Sequence, residues 1–172
     1  MHLDRATPAD LAALHALIES AYRGETARAG WSNEADLLNG PRTAVADLRA
    51  MLADNVQRLL VFREGKEVVA CVALTDLGQG RAYLGLLTVA PLRQASGFGR
   101  LLLAAAEHYA ASELGTRLVE MTVIAQRPEL IAWYERRGYL LSGERRPFPY
   151  SNPSAGALRE DLEFVVLERS LA

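Results

Sequence analysis

Apolar positions along this chain follow two periods in succession. Leu11, Leu14, Ile18 and Tyr22 recur at helical spacing and make one apolar stripe. Thr7-Pro8-Ala9-Asp10 announces that helix: Thr7 suits the N-cap, Pro8 the first helical position and Asp10 the positive end of the dipole. Residues 2–6 read as a short strand before it. Between Arg23 and Pro41 the pattern breaks, with Gly24 and Gly30 as punctuation and a short helix expected over 32–39, capped by Ser32. A further helix over 43–54 sets Val45, Leu48, Met51 and Leu52 on one side.

From Gln57 the period shortens. Residues 58–63 and 67–75 read as a hairpin around Glu64-Gly65-Lys66, and 81–89 pairs back after a second turn at 76–80. Leu84 to Val89 is continuously apolar, as a buried strand would be, and Pro91 stops it. A loop, Gln94-Ala95-Ser96-Gly97-Phe98-Gly99, then opens into a helix with Phe98, Leu101, Leu102, Ala105 and Tyr109 on one stripe, ending near Gly115. A strand over 118–124, a helix over 129–137 stopped by Gly138, a strand from 139 to 143, a rigid aromatic loop over 147–153 and a strand over 162–167 complete the chain. The order predicts an α/β (α+β) fold: a mixed, mostly antiparallel central sheet of about six to seven strands with helices on both faces. The crossover from 84 to 124 should be parallel and right-handed.

The glycine loop is the first place where pattern becomes chemistry. A helix N-terminus offers amides without intrahelical partners and partial positive charge. Gly97 and Gly99 let an anion approach the backbone, so a phosphate or pyrophosphate is the expected ligand; the alternative is a tight turn that binds nothing. Arg100-Leu101 follows where a P-loop needs GK[ST], and Leu102 stands where a dinucleotide fingerprint needs its third glycine. Both nucleotide readings are weakened by those departures.

Length and charge narrow the class. A chain of 172 residues, half of them hydrophobic, suits one domain spanning 1–172 with an ample core. A net charge of −2 gives no broad attraction to nucleic acid or an anionic membrane, and Arg136-Arg137 and Arg145-Arg146 read as solvated pairs. No apolar run is long enough to span a bilayer and the N-terminus has no apolar leader, so a cytoplasmic location is expected. Cys71 lies in an apolar run and reads as core; His2, His15 and His108 have no metal-binding spacing, and no metal is expected. Ser96 lacks the setting of a nucleophile elbow.

Gln-x-x-Gly-x-Gly at 94–99, preceded by Val89-Ala90-Pro91, resembles the acetyl-CoA signature of the GCN5-related N-acetyltransferase (GNAT) family. Ile131-Ala132-Trp133-Tyr134-Glu135-Arg136-Arg137-Gly138-Tyr139 resembles its second signature, a tyrosine followed by a Gly-aromatic pair. The resemblance covers most of 60–139. It implies the acyl-CoA N-acyltransferase fold, acetyl-CoA as cosubstrate, and acetyl transfer to a primary amine of a small molecule or peptide. For the pyrophosphate it implies Gln94, Ala95, Ser96, Gly97, Phe98, Gly99 and Arg100. For the pantetheine arm and acetyl group it implies the strand Leu87, Thr88 and Val89. Tyr134 matches the position whose hydroxyl lies near the CoA sulfur. Arg127 stands where many members carry asparagine; it either meets a CoA phosphate or faces water.

Acyl transfer to an amine needs a donor to the departing sulfur and a way to remove the ammonium proton. A tyrosine, with an ordinary pKa near 10, suits the first. Glu120, facing away from the row Val119, Met121 and Val123, is the candidate base; a solvent-facing glutamate or a water chain are the alternatives. Tyr22, Trp31, Glu34, Phe148 and Tyr150 come from segments that flank the acceptor groove in similar folds. Glu34 would attract a cationic amine and the aromatics wall an apolar portion; Trp31 reads equally as a lid or a core anchor. A non-catalytic acyl-CoA-binding module on the same fold, and a homodimer, are the other possibilities this sequence leaves open.

Overall fold

The computed structural model describes residues 2–23, 34, 36–152 and 156–171, with the side chains of Ala95 and Ser96 left out. Trp31 and, of the helix expected over 32–39, residues 32, 33 and 35 lie outside the described residues; the described part is a turn at 36–37 followed by an isolated bridge from Leu38 to Ala157, not a helix. Seven strands form one sheet: β1 (Asp4–Arg5), β2 (Gln57–Glu64), β3 (Glu67–Gly78), β4 (Arg81–Val89), β5 (Leu118–Ile124), β6 (Leu140–Pro147) and β7 (Glu163–Ser170), ordered β1-β2-β3-β4-β5-β7-β6. All neighbours are antiparallel except β4 and β5, the parallel pair expected from the crossover. Among the described residues four α-helices accompany them: α1 (Leu11–Tyr22), α2 (Val45–Ala53), α3 (Phe98–Leu114) and α4 (Pro128–Glu135).

Local chemistry explains the helix ends. Asp10 accepts the Thr7 amide at 2.8 Å and seeds a 3-10 turn over Pro8–Asp10 that runs into α1. Gly115 ends α3 in a left-handed conformation, φ 63°, where a residue with a Cβ would be strained.

Alternation along the strands makes two cores. Leu59, Val61, Cys71 and Ala73 pack with α1 and α2 on one face. Leu60, Ala70, Val72 and Leu74 pack with α3 and α4 on the other. On β4 the alternation slips by one. Leu84 faces the α3 side, Leu86 the α1 side, and Leu87 and Val89 the α3 side again. The cause is a bulge: between the Cys71–Thr88 and Ala73–Gly85 pairings β4 carries one more residue than β3. Leu86 takes a left-handed φ of 49°, rare for a residue with a Cβ.

Candidate active site

The bulge bends β4 away from its parallel neighbour. Pairing between β4 and β5 covers only Arg81–Leu118, Ala82–Val119 and Tyr83–Glu120. Beyond Tyr83 the two strands part. A cavity of about 780 Å³ fills the gap, walled by Tyr83 to Leu87 of β4 and Met121 to Ile124 of β5. A gap inside a sheet bares strand-edge backbone groups, which a ligand with amides can pair as a strand would.

Three side chains brace the bulge. The Tyr22 hydroxyl donates to the Leu87 carbonyl at 3.0 Å, and Thr88 Oγ1 donates to the Leu86 carbonyl at 2.9 Å. Cys71 Sγ lies 3.9 Å from the same Leu86 carbonyl. Thr88 and Cys71 are fully buried, so Thr88 supports the strand through its side chain. Burial pushes the Cys71 thiol up to about 12, and the Tyr22 phenol likewise to about 12. Neither ionises at neutral pH.

Tyr134 lies on α4 and lines the cavity. Its ring stands edge-on to Trp133 at 4.9 Å and to Tyr139 at 5.6 Å. Tyr139 is anchored in turn to the buried Glu107, at 2.9 Å, which also takes Arg169. Burial raises the Tyr134 phenol above its ordinary value, so the hydroxyl keeps its proton. No hydrogen bond ties that hydroxyl to any described residue; a nearby hydroxyl, Tyr83, is already bonded to Thr122 Oγ1 at 2.7 Å across the gap.

At the end of β4 the chain makes a 3-10 turn, Pro91–Ser96, and enters α3 through Gly97. Gln94 turns inward and donates to the Val89 carbonyl at 2.9 Å, fastening the loop to the strand. Gly97 has φ 76°, and nothing lies within 4 Å of where its Cβ would be. Gly97 thus leaves its side of the turn uncrowded just before a 17-residue helix, whose N-terminal end is where an anion is favoured. Arg100 is exposed beside it, and electrostatic coupling of Arg137 to Arg100 and Arg136 makes a basic corner there. Arg137 lies over the Trp133 ring at 3.5 Å, with its Nε buried and without a partner among the described residues. Arg127 does not face water: it is 5% exposed, pairs with Glu129 at 2.8 Å and lines the cavity.

The opposite wall holds Tyr22, Glu34 and Phe148, which the structure brings together, with Arg23 and Arg42 added. Glu34 takes Arg23 at 2.8 Å and lies 3.9 Å from Arg42. Phe148 stacks at 5.5 Å on Phe164. Tyr150 is not part of this wall; its hydroxyl bonds the Leu162 backbone and closes the turn before β7. Glu120 is not part of it either. Its buried carboxylate takes Arg81 at 2.6 Å and Arg146 at 2.9 Å. Burial opposes ionisation there, but the two guanidiniums outweigh it and hold the carboxyl below its ordinary value.

The sequence from residue 14 to 139 matches the acetyltransferase (GNAT) family. The chain belongs to that family. Solved structures share its fold. A ribosomal-protein-alanine N-acetyltransferase from Brucella melitensis superposes with TM-score 0.72 at 18% identity, over 99% of this chain and 100% of that one. A chimera of the Vibrio cholerae spermidine N-acetyltransferase SpeG and hSSAT gives 0.71 at 18%, over 99% and 96%. The smu.2055 protein of Streptococcus mutans gives 0.70 at 15%, over 100% of both chains. No curated protein sequence matches the chain significantly.

This GNAT enzyme has site residues that sequence reasoning passed over. Tyr83, Arg23, Arg42 and the Leu86 bulge carry no motif. Tyr83 sat inside an ordinary strand, and Arg42 in a segment without period. Among the described residues no helix is long and apolar enough to cross a membrane.

Proposed function

We propose that this GNAT enzyme transfers acetyl from acetyl-CoA to a primary amine of a small molecule or peptide, by direct attack of the amine on the thioester. The observation that carries it is the parted β4–β5 edge with the unengaged Tyr134 hydroxyl in it and the open N-terminus of α3 at the end of β4. The residues present fit the coenzyme. Backbone amides of the turn from Gln94 to Gly99 would hold the diphosphate, with the Arg100 and Arg137 side chains at the basic corner to receive further phosphate charge; the Arg100 amide itself already bonds the Gly97 carbonyl at 3.1 Å. The β4 edge at Leu87 to Val89 receives the pantetheine arm. Bound there, acetyl-CoA supplies an activated acyl group.

The protein's share is orientation and proton control. A β4 backbone N–H opposes charge growing on the carbonyl oxygen. Tyr134 gives its proton to the departing sulfur. The acceptor ammonium loses its proton to water in the cavity. Glu120 is poorly placed for that role, because two arginines hold its lone pairs and favour its ionised form. The direct test is thiol release from acetyl-CoA across an amine library, with calorimetry of acetyl-CoA binding. Binding without thiol release from any amine would leave a coenzyme-binding module instead of an enzyme.

Gly97 gives a separate test of the diphosphate site. An L-residue at its φ costs about 1–2 kcal/mol, which the turn recovers only by shifting its amides. Gly97→Val is expected to weaken acetyl-CoA binding about five- to thirtyfold by calorimetry. Unchanged affinity would mean that these amides do not hold the coenzyme.

A further inference from the structure

The acceptor wall of the cavity sets two guanidiniums, Arg23 and Arg42, against its most enclosed carboxylate, Glu34. Among the described residues its carboxylates are Glu34 and Asp47, and both make hydrogen bonds within the protein. Glu34 sits between Arg23 and Arg42 with 14% of its side chain exposed. Asp47 accepts the Ala44 amide at 3.1 Å as the cap of α2. A polyamine entering here would find Glu34 already matched by guanidiniums, while the exposed Asp47 is engaged, among the described residues, only by a backbone amide.

The guanidiniums are unequal. Arg23 is spent on Glu34, on the Gly40 carbonyl at 2.6 Å and on the Tyr22 carbonyl at 3.2 Å. Arg42 is not spent. Its side chain donates no hydrogen bond to a described residue; Glu34 lies 3.9 Å away, and Glu19 is a second acid that acts on it without a side-chain ion pair. The guanidinium lies over the Tyr22 ring, 5.0 Å from its centre, with a third of the side chain open to solvent. Stacking on an aromatic face fixes the plane of a guanidinium and leaves its edge free for a two-point contact with a carboxylate. Its position is stabilised further because the Arg42 and Thr43 amides both bond Glu19, at 2.7 and 2.9 Å.

Tyr22 links this guanidinium to the reaction centre, because its hydroxyl bonds the Leu87 carbonyl on the parted strand. A group held by Arg42 is thus one aromatic ring from the parted strand. Phe148 and Phe164 add an apolar surface to the same cavity.

We propose that the acceptor is an amino-carboxylate with an apolar body, its carboxylate read by Arg42 and its amine presented to the thioester between β4 and β5. This rests on the acetyl-transfer reading above and narrows it: the substrate is a zwitterion and not a polyamine.

Matched pairs decide it. Thiol release is measured with leucine, phenylalanine and 4-aminobutyrate, with the carboxamide of each, and with spermidine and putrescine. At least one carboxylate is expected to exceed its own amide and both polyamines at least tenfold in kcat/KM. Arg42→Gln is expected to erase that ratio by raising KM for the carboxylate at least tenfold, with the acetyl-CoA affinity unchanged by calorimetry. Amides or polyamines that match or beat every carboxylate overturn the proposal, as does an Arg42→Gln enzyme that keeps the preference. Acetyl-CoA titration run alongside separates the two levels. Heat with no carboxylate preference defeats the zwitterion alone; absence of heat defeats the acetyl-transfer reading itself.

Discussion

Tyr134→Phe is expected to lower kcat by about a hundredfold or more and to leave acetyl-CoA affinity where it was. The magnitude is what a positioned proton donor contributes, about 10²–10⁴ in rate, and a hundredfold corresponds to about 2.7 kcal/mol of barrier. The fold has little reason to object. The phenol makes no hydrogen bond to a described residue, and the ring's edge contacts with Trp133 and Tyr139 survive in phenylalanine. The melting temperature should therefore stay within about 2 °C of the parent, since no buried partner is orphaned. The pH profile is a second check. Burial raises the Tyr134 pKa, so the donor remains protonated beyond the ordinary phenol value, and no falling limb should appear below about pH 10. Stopped activity with intact binding and melting assigns the hydroxyl to chemistry. A rate within a fewfold of the parent would reduce Tyr134 to a packing residue on α4.

The readable parts of this protein were those that obey a period or need a special backbone. Strand order up to the glycine loop, the parallel crossover, the left-handed end of α3 at Gly115 and the two-faced core all follow from alternation and glycine placement. The position of β7 between β5 and β6 does not, because short apolar strands such as 162–167 pair equally well with several partners until the side chains dock. The parting of β4 and β5 was invisible for a different reason. Leu84 to Val89 reads as one uninterrupted apolar strand, and the residue that takes the left-handed turn is Leu86, not the neighbouring Gly85. Side chains distant in sequence, Tyr22, Thr88 and Cys71, hold it there. The acceptor wall was read by residue type alone. Glu34 looks like a trap for cations until Arg23 and Arg42 are seen to flank it.

Removing the Glu120 carboxylate is expected to cost stability and not catalysis. In Glu120→Ala the two charge-assisted hydrogen bonds from Arg81 and Arg146 disappear from a site where the carboxylate is only 5% exposed. Such bonds contribute about 1.5–3 kcal/mol, and the loss is held to about 2 kcal/mol here because both arginines retain access to water. For a chain of this size that lowers the melting temperature by about 4–8 °C. The pH dependence has a definite sign. The folded carboxyl has a lowered pKa, so its stabilisation is fully present above the unfolded value of about 4.3 and is lost as pH falls through the folded value. Parent and Glu120→Gln should thus differ at pH 7 and converge only in acid, once the pH has fallen below the lowered folded value. Kinetics carry the opposite expectation. If water removes the ammonium proton, Glu120→Gln keeps kcat within about threefold, and the rising limb of kcat/KM follows the pKa of whichever amine is supplied. A Glu120→Gln enzyme that folds, binds acetyl-CoA and loses its activity with every acceptor would return the base to that carboxylate, and would require Arg81 and Arg146 to release it once both substrates are bound.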